Sequence, residues 1–360
     1  MTSKIRVGII GTGGWARYGH IPALQSLEGF EVTALAGRNK QKVEEYARQF
    51  GVAHSFGSAE ELLAFPDLDL VVVLVPTPEH GRLAKAVIQA GKDVYTEWPL
   101  STTTVESQEI LALANAKGVK HIVGLQRRFS PSSRYWHDLM KQNYVGKVRA
   151  VRMSVGVDAF GEVMPDHKKW TLDAANFTEV LSIYGGHFHD MLFHGVSFPE
   201  KLSAVTQNQF PVTTILDTGE RVPYTSPNEV MIIGTLASGE LFSVQLEGGQ
   251  THRTGLQIDI TGNEGVLRIT NPRGFENEAD NTVWSMKNGE EVFTALPVPP
   301  SYATLPVSHL DASSQDVAYL YAAYARDRAC ASSTVTSFED AVRQHQLIDL
   351  ITESSSRFFK

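Results

Sequence analysis

The sequence predicts an α/β protein with two domains. The first is a doubly wound parallel sheet and the second an α/β domain on a large, mostly antiparallel open sheet. Three observations lead there. Short apolar runs alternate with helical periodicity over residues 4–124. A glycine-rich turn directly follows the first run. From about residue 125 the pattern changes to alternating strands joined by glycine-containing turns. The expected boundaries are 1–124 and 125–360.

Taken in order, Ile5–Ile10 is a strand and a helix follows from Gly14 to about Leu27. Glu31–Ala36 is the next strand and Lys40–Phe50 the next helix. Ser58 and Glu61 form a capping-box pair that opens a short helix. Leu68–Val75 is nearly continuous in apolar residues, as a strand buried on both faces of a parallel sheet would be. Helix 79–91, strand 92–96, helix 103–117 (Thr103 and Glu106 as capping box) and strand 120–124 complete the series. Strands separated by helices are βαβ units, and this series fits a doubly wound sheet.

The second half reads as strands Val148–Val157, Lys201–Phe210, Glu229–Ala237, Leu241–Glu247, Leu256–Thr261 and Val266–Ile269. Ser238-Gly239 and Gly262 to Gly265 mark hairpin turns. Residues 271–312, rich in Pro, Asn and Gly, are expected to loop over the surface. Helices over about 314–328 and 338–355 close the sequence, the second capped by Ser337 with Asp340.

Composition narrows the function. At 360 residues, with 42% apolar and 20% charged, the chain can bury a full core. A net charge of −8 without a basic run argues against nucleic acid and against an anionic membrane surface. The apolar runs are of strand length, too short for a membrane span. The single cysteine, Cys330, cannot form an internal disulfide and suits a reducing cytoplasm. A strand signal within five residues of the start leaves no room for a secretory leader.

Gly11-Thr12-Gly13-Gly14-Trp15-Ala16 follows the first strand and opens a helix, the setting that gives this pattern meaning. Gly11 permits the tight turn, Gly13 lets backbone approach a pyrophosphate, and Ala16 lets the helix pack on the strand. The helix start supplies free N–H groups and positive dipole. A dinucleotide is therefore expected here. At the end of the second strand the acid that bonds a ribose 2′-hydroxyl is missing. Gly37-Arg38-Asn39-Lys40 stands there instead, with Lys42 close by. Arg38 could grip a phosphate or stack on adenine, which favours NADP(H) over NAD(H), or it could be a surface residue at a helix start. The fourth strand ends in Val75-Pro76-Thr77-Pro78-Glu79-His80, at the crevice edge. His80 could reach the cofactor or cap its own helix.

A helix over about 178–195 holds Tyr184-Gly-Gly-His187-Phe-His189-Asp190 and then His194. It is apolar nearly all round and should be buried. Two adjacent helical glycines cost about 1 kcal/mol each relative to alanine, so close approach of a ligand or another backbone is expected. His187 could be an acid–base group or a core histidine bonded to a carbonyl. His187, Asp190 and His194 share one face, but one helix rarely wraps a metal, and none is expected.

These motifs resemble the Gfo/Idh/MocA family along essentially the whole chain. The likeness includes the glycine-rich turn, Glu97-Trp98-Pro99, Gly124 to Pro131, Val145 to Val148, His187 to Asp190, Gly262 to Leu267 and Ser337 to Ala341. The resemblance implies a Rossmann domain joined to an open-sheet α/β domain. It also implies an NAD(P)-dependent oxidoreductase of sugars or polyols, assembled as a homodimer or homotetramer through the open sheet. It favours His80 at the crevice and adds Glu97, Trp98 and Gln126 to the cofactor residues. On the substrate side it suggests Trp98, Arg128, Trp170, Asp173, Tyr184, His187 and Asp190, with His187 catalytic. Two positions depart from the family. Its catalytic lysine aligns with Trp98, and its aspartate four residues before the histidine aligns with Ile183. An indole can stack on a nicotinamide or a sugar face but exchanges no proton near neutral pH.

Gln126, Arg128, Ser130-Pro131, Arg221 to Pro227 and Gly248-Gly249 are similar to the subgroup of the yeast galactose-regulon repressor. That likeness implies the alternative, a catalytically silent NADP(H)-binding sensor with a protein partner. The expected function is an NADP(H)-dependent oxidoreductase acting on a carbohydrate-like substrate, with NAD(H) as second choice of cofactor.

Overall fold

The computed structural model describes residues 4–274, 279–306 and 309–358. It forms two compact units. Residues 1–126 and 305–345 make the first, and 127–304 with 346–360 make the second.

The first unit is built on six parallel strands: β1 (Ile5–Ile10), β2 (Phe30–Ala36), β3 (His54–Phe56), β4 (Leu70–Val73), β5 (Asp93–Glu97) and β6 (His121–Gly124). Their order is β3-β2-β1-β4-β5-β6, the doubly wound arrangement. Ile9, Leu70, Val71 and Val94 are fully buried, so the central strands carry no polar face. The crossover helices are α1 (Ile21–Gln25), α2 (Lys40–Phe50), α3 (Ala59–Ala64), α4 (His80–Gln89) and α5 (Thr104–Lys117). The first crossover is not α-helical throughout: Ala16–His20 is π-wound and leads into α1. Of the expected capping boxes the N-cap half forms, while Glu61 accepts from Gly57 N and Thr103 N donates to Ser101 Oγ. Ser58 accepts from Glu61 N at 3.1 Å and Thr103 from Glu106 N at 3.1 Å.

The second unit begins with α6 (Pro131–Lys141) and strands β7 (Val148–Gly156) and β8 (Val163–Met164). Helix α7 (Gly186–Gly195) follows, entered through a second π-wound turn, Leu181–Gly185. Next come β9 (Pro199–Gln207), β10 (Val212–Ile215), β11 (Arg221–Pro223), β12 (Glu229–Leu236), β13 (Leu241–Glu247), β14 (Gly255–Gly262), β15 (Gly265–Asn271), β16 (Thr282–Lys287) and β17 (Thr294–Leu296). Eight of these form one sheet in the order β17-β16-β15-β14-β7-β13-β12-β9. Only the β7–β13 pair is parallel. One face is apolar and buried under α7, where the Phe193 ring meets Phe242 edge-on at 5.5 Å. The other face leaves Met231, Ile233 and Leu241 more than half exposed.

Two expectations change. The segment 271–312 is not simply a surface loop, because β16 and β17 extend the sheet. Val283 faces the core, and the Trp284 indole donates to Thr270 at 2.9 Å. Residues 305–345 depart from the single boundary expected near residue 125. Helix α8 (Ala312–Cys330) packs in the first unit, with the Tyr321 ring 5.8 Å from Phe30. Tyr324 donates to Asp93 at 2.7 Å, and Arg328 bridges Asp69 and Asp93. Helix α9 (Phe338–Phe358) is divided between the units after His345. Ser337 and Asp340 cap it reciprocally.

Candidate functional site

In the first unit the sheet order reverses between β1 and β4, and a cleft of about 460 Å³ opens there. Gly11 is held at φ +117°, and a Cβ on it would stand 2.1 Å from the Leu74 carbonyl oxygen. The turn therefore hugs the neighbouring strand, and no side chain is tolerated. A Cβ on Gly13 would meet nothing within 4 Å, so its backbone faces open space. Ala16 is buried under the helix start. The cleft brings together Gly11, Thr12, Gly13, Arg38, Val75 and Pro76 from the expected residues. Sequence reasoning missed Ser58, Glu60 and Arg82 on the same wall. The only local signal was Ser58 as a helix cap, since Arg82 reaches the cleft from α4 and pairs with Glu79 and Glu60. No carboxylate follows β2, and among the described residues Arg38 carries no ion pair.

The remaining expected cofactor residues stand behind this wall. Gly14 is exposed at the helix start. The Trp15 ring packs on Tyr18 and His20 rather than into the cleft. Thr77 is buried in a short 3₁₀ turn, Thr77–Glu79. His80 is a latch: both ring nitrogens sit 2.7 Å from carbonyls, those of Pro99 and Val75. Burial holds its imidazole below the ordinary histidine value, although the two carbonyls pull the other way. It thus fixes Val75 and contacts no cleft space. Glu97 accepts from Tyr95 at 2.8 Å and pairs with His20 at 3.0 Å, while His20 bonds the Tyr321 hydroxyl at 2.6 Å. Trp98 is buried, its ring 4.9 Å from that of His345, whose imidazole burial pushes down to about 3. Gln126 is buried, and its Oε1 has no partner among the described residues.

In the second unit the expected substrate residues divide. His187 is buried in the first turn of α7, just past the π-wound turn that contains Tyr184. The Tyr184 ring lies edge-on to Phe160 at 5.6 Å. Arg128 and Asp190 are not open to a ligand in the expected way. They form a buried two-point pair at 2.8 and 2.6 Å, and Arg128 also meets His194 at 3.1 Å. Asp173 caps its own short turn by accepting from Ala175 N. Trp170 keeps 38% of its surface exposed, and its carbonyl accepts from Asn176 at 2.5 Å. Close approach at Gly185 is to the sheet: a Cβ there would stand 3.1 Å from Leu246 Cδ1. Among the described residues no group of three metal-ligating side chains assembles, and no helix is long and apolar enough to cross a membrane.

Comparison with known proteins places this architecture. Residues 5–125 match the oxidoreductase family with an NAD-binding Rossmann fold, and residues 131–271 match the C-terminal domain of Gal80p. Dehydrogenase aclE of Aspergillus oryzae is 30% identical over 76% of this chain and 78% of its own. The galactose/lactose metabolism regulatory protein GAL80 of Saccharomyces cerevisiae is 26% identical over 76% of this chain and 68% of its own. A super-repressor form of that Gal80p superposes with a TM-score of 0.87 at 21% identity, covering 99% of this chain and 96% of the other. Levoglucosan dehydrogenase in complex with NADH and L-sorbose superposes with a TM-score of 0.85 at 21% identity, covering 99% and 98%. The fold is that of the nicotinamide-dependent oxidoreductases. The chain belongs to the Gfo/Idh/MocA family, in its Gal80-like subgroup.

Proposed function

We propose that this protein is an NADP(H)-dependent oxidoreductase that acts on a CH–OH group of a sugar, polyol or related carbohydrate. The observation that carries the reading is the first unit's cleft. Gly11 and Gly13 shape it for a pyrophosphate, and Arg38 stands where an NAD-selecting acid would be. When bound, a nicotinamide supplies or accepts the hydride. His187 takes the hydroxyl proton in oxidation and returns it in reduction, the general acid–base task of a positioned imidazole. Trp98 offers an apolar face and no proton. Tyr184, Trp170 and Asp173 contribute to substrate binding, and Arg128 with Asp190 holds the helix that carries His187. The exposed sheet face of Met231, Ile233 and Leu241 supports a homodimer or homotetramer, and a cytoplasmic setting fits the lone exposed cysteine.

A second reading has its own support. The family's lysine and aspartate positions hold Trp98 and Ile183, and the Arg128–Asp190 pair is internally satisfied. These features suit a catalytically silent NADP(H) sensor that binds another protein. The deciding experiment supplies NADPH deuterated at the transferable position with a pool of sugars, polyols and keto-sugars, and follows label by mass spectrometry. Label in a metabolite, reduced about 10²- to 10⁴-fold by His187→Ala with NADPH affinity retained, supports the enzyme. Tight NADPH binding without transfer supports the sensor.

A further inference from the structure

We propose that Glu179 and Tyr224 form a hydroxyl-binding subsite for a polyhydroxylated ligand, at the approach to the helix that carries His187. The inference rests on the carbohydrate reading above and names side chains that no comparison assigns. Glu179 lies two residues before the π-wound turn and eight before His187. Its side chain is partly buried, and among the described residues its carboxyl meets no cation and no donor. Tyr224 is 1% exposed, its hydroxyl has no partner among the described residues, and it lies within electrostatic range of Glu179. Two residues on, Ser226 is also buried, and its Oγ too has no partner among the described residues.

This segment is not loosely placed. Tyr224 N donates to Pro211 O at 2.9 Å, and Tyr224 O accepts from Asn208 at 2.7 Å. Asn228 donates to Phe160 O, and Phe160 packs on Tyr184. The backbone around Tyr224 is thus satisfied while hydroxyls on the same segment are not. Buried polar groups are normally paired, so a cluster of unpaired ones calls for a ligand that pairs them. The absence of a counter-charge suits a neutral ligand. Burial pushes the Glu179 carboxyl up to about 7, so near neutrality much of it is protonated and can both donate and accept. A sugar or polyol presents vicinal hydroxyls that match such groups. Tyr224 is the titratable group set against Glu179.

The test uses the full chain loaded with NADPH and a fixed panel of hexoses, hexitols and inositols. Binding is read by saturation-transfer NMR and turnover by deuterium transfer, for wild type, Glu179→Gln and Tyr224→Phe. The expected result is a panel compound whose KM or Kd rises about tenfold or more in each variant, with NADPH affinity within about twofold. Glu179→Gln should also remove one titration near pH 7 from the kcat/KM profile. Equal affinity in wild type and both variants overturns the subsite and leaves the oxidoreductase reading standing. NADPH binding with no panel compound bound overturns the carbohydrate reading and the subsite together. If Glu179→Gln does not fold, Tyr224→Phe, which keeps the ring, decides alone.

Discussion

Both units contain a π-wound turn that leads into a helix, and the two turns leave their surroundings in opposite states. Such turns recur at functional sites because the wide winding re-aims side chains. In the first unit the turn Ala16–His20 delivers His20 to a closed network, with Tyr321 on one nitrogen and Glu97 on the other. In the second unit, beyond the turn Leu181–Gly185, His189 is fully buried and neither ring nitrogen has a partner among the described residues. Its imidazole is pushed down to about 3 by burial. The Tyr224 and Ser226 hydroxyls are likewise left over. The first unit turns backbone at Gly11 and Gly13 to its cleft, and the second keeps unsatisfied side chains. That division suits the proposed roles, a generic cofactor for the first unit and a particular substrate for the second.

The comparison is broken most forcefully at the Arg128–Asp190 pair, the second unit's fully satisfied charge cluster. Arg128→Ala takes the two-point partner from buried Asp190 and should lower stability by about 3–5 kcal/mol in urea denaturation. A loss below 1 kcal/mol would mean that Asp190 finds another partner and that the pair is not what holds α7. Next in size is a contrast within the first unit. Gly11→Ala should destabilise by about 1–3 kcal/mol from its backbone alone and abolish NADPH binding. Gly13→Ala meets open space, so stability should stay within about 0.5 kcal/mol while NADPH affinity falls tenfold or more. Unchanged affinity in Gly13→Ala would show that no phosphate lies over that backbone. Arg38→Ala is gentler. It should weaken NADPH by about 10-fold with NADH nearly unaffected, as loss of one charged hydrogen-bond partner implies. Equal losses for both cofactors would return Arg38 to a surface or adenine-stacking role.

The first unit was far more legible than the second, for physical reasons. Its strands are buried on both faces and read as unbroken apolar runs, and its turn carries a pattern that only a βαβ crossover needs. Ser58, Thr103 and Ser337 cap as their spacing promised because capping is local. β3 escaped notice because three residues, His54–Phe56, show no period. β16 and β17 were hidden by the polar residues around the Asn288-Gly289 turn, where Gly289 takes φ +89°. The π-wound turns leave no trace, since over five residues their winding cannot be told from an α-helix. Long-range pairings were beyond reach. Arg128 meets Asp190 across 62 positions, and Arg328 meets Asp69 across 259. His187 was placed by motif, while Tyr224 and Ser226 had no pattern to announce their unmet hydroxyls.

The smallest effect sharpens the comparison through pH. In the first unit Asp69 and Asp327 are held below the usual carboxylate value. Burial raises each, but Arg6 and Arg328 outweigh it at Asp69, and the Ser332 hydroxyl with the Thr334 and Val335 N–H groups outweighs it at Asp327. Their stabilisation is complete above the ordinary value of 3.8 and is lost as pH falls below it. Glu179 in the second unit has the opposite sign. Its carboxyl is raised from 4.5 to about 7, so the folded state holds a proton that the unfolded chain releases. That contribution is complete below 4.5 and is lost as pH rises through 7. Between pH 5 and 8 Asp69 and Asp327 add no slope. The depressed buried histidines His80, His189 and His345 push stability the other way, and Glu229 acts with the same sign as Glu179. The Glu179 contribution itself should fall by an amount on the order of 1 kcal/mol. Glu179→Gln should flatten that decline and be relatively more stable at pH 8 than at pH 5. The same pH profile in wild type and Glu179→Gln over this range would place the Glu179 carboxyl in water and remove the contrast between the units.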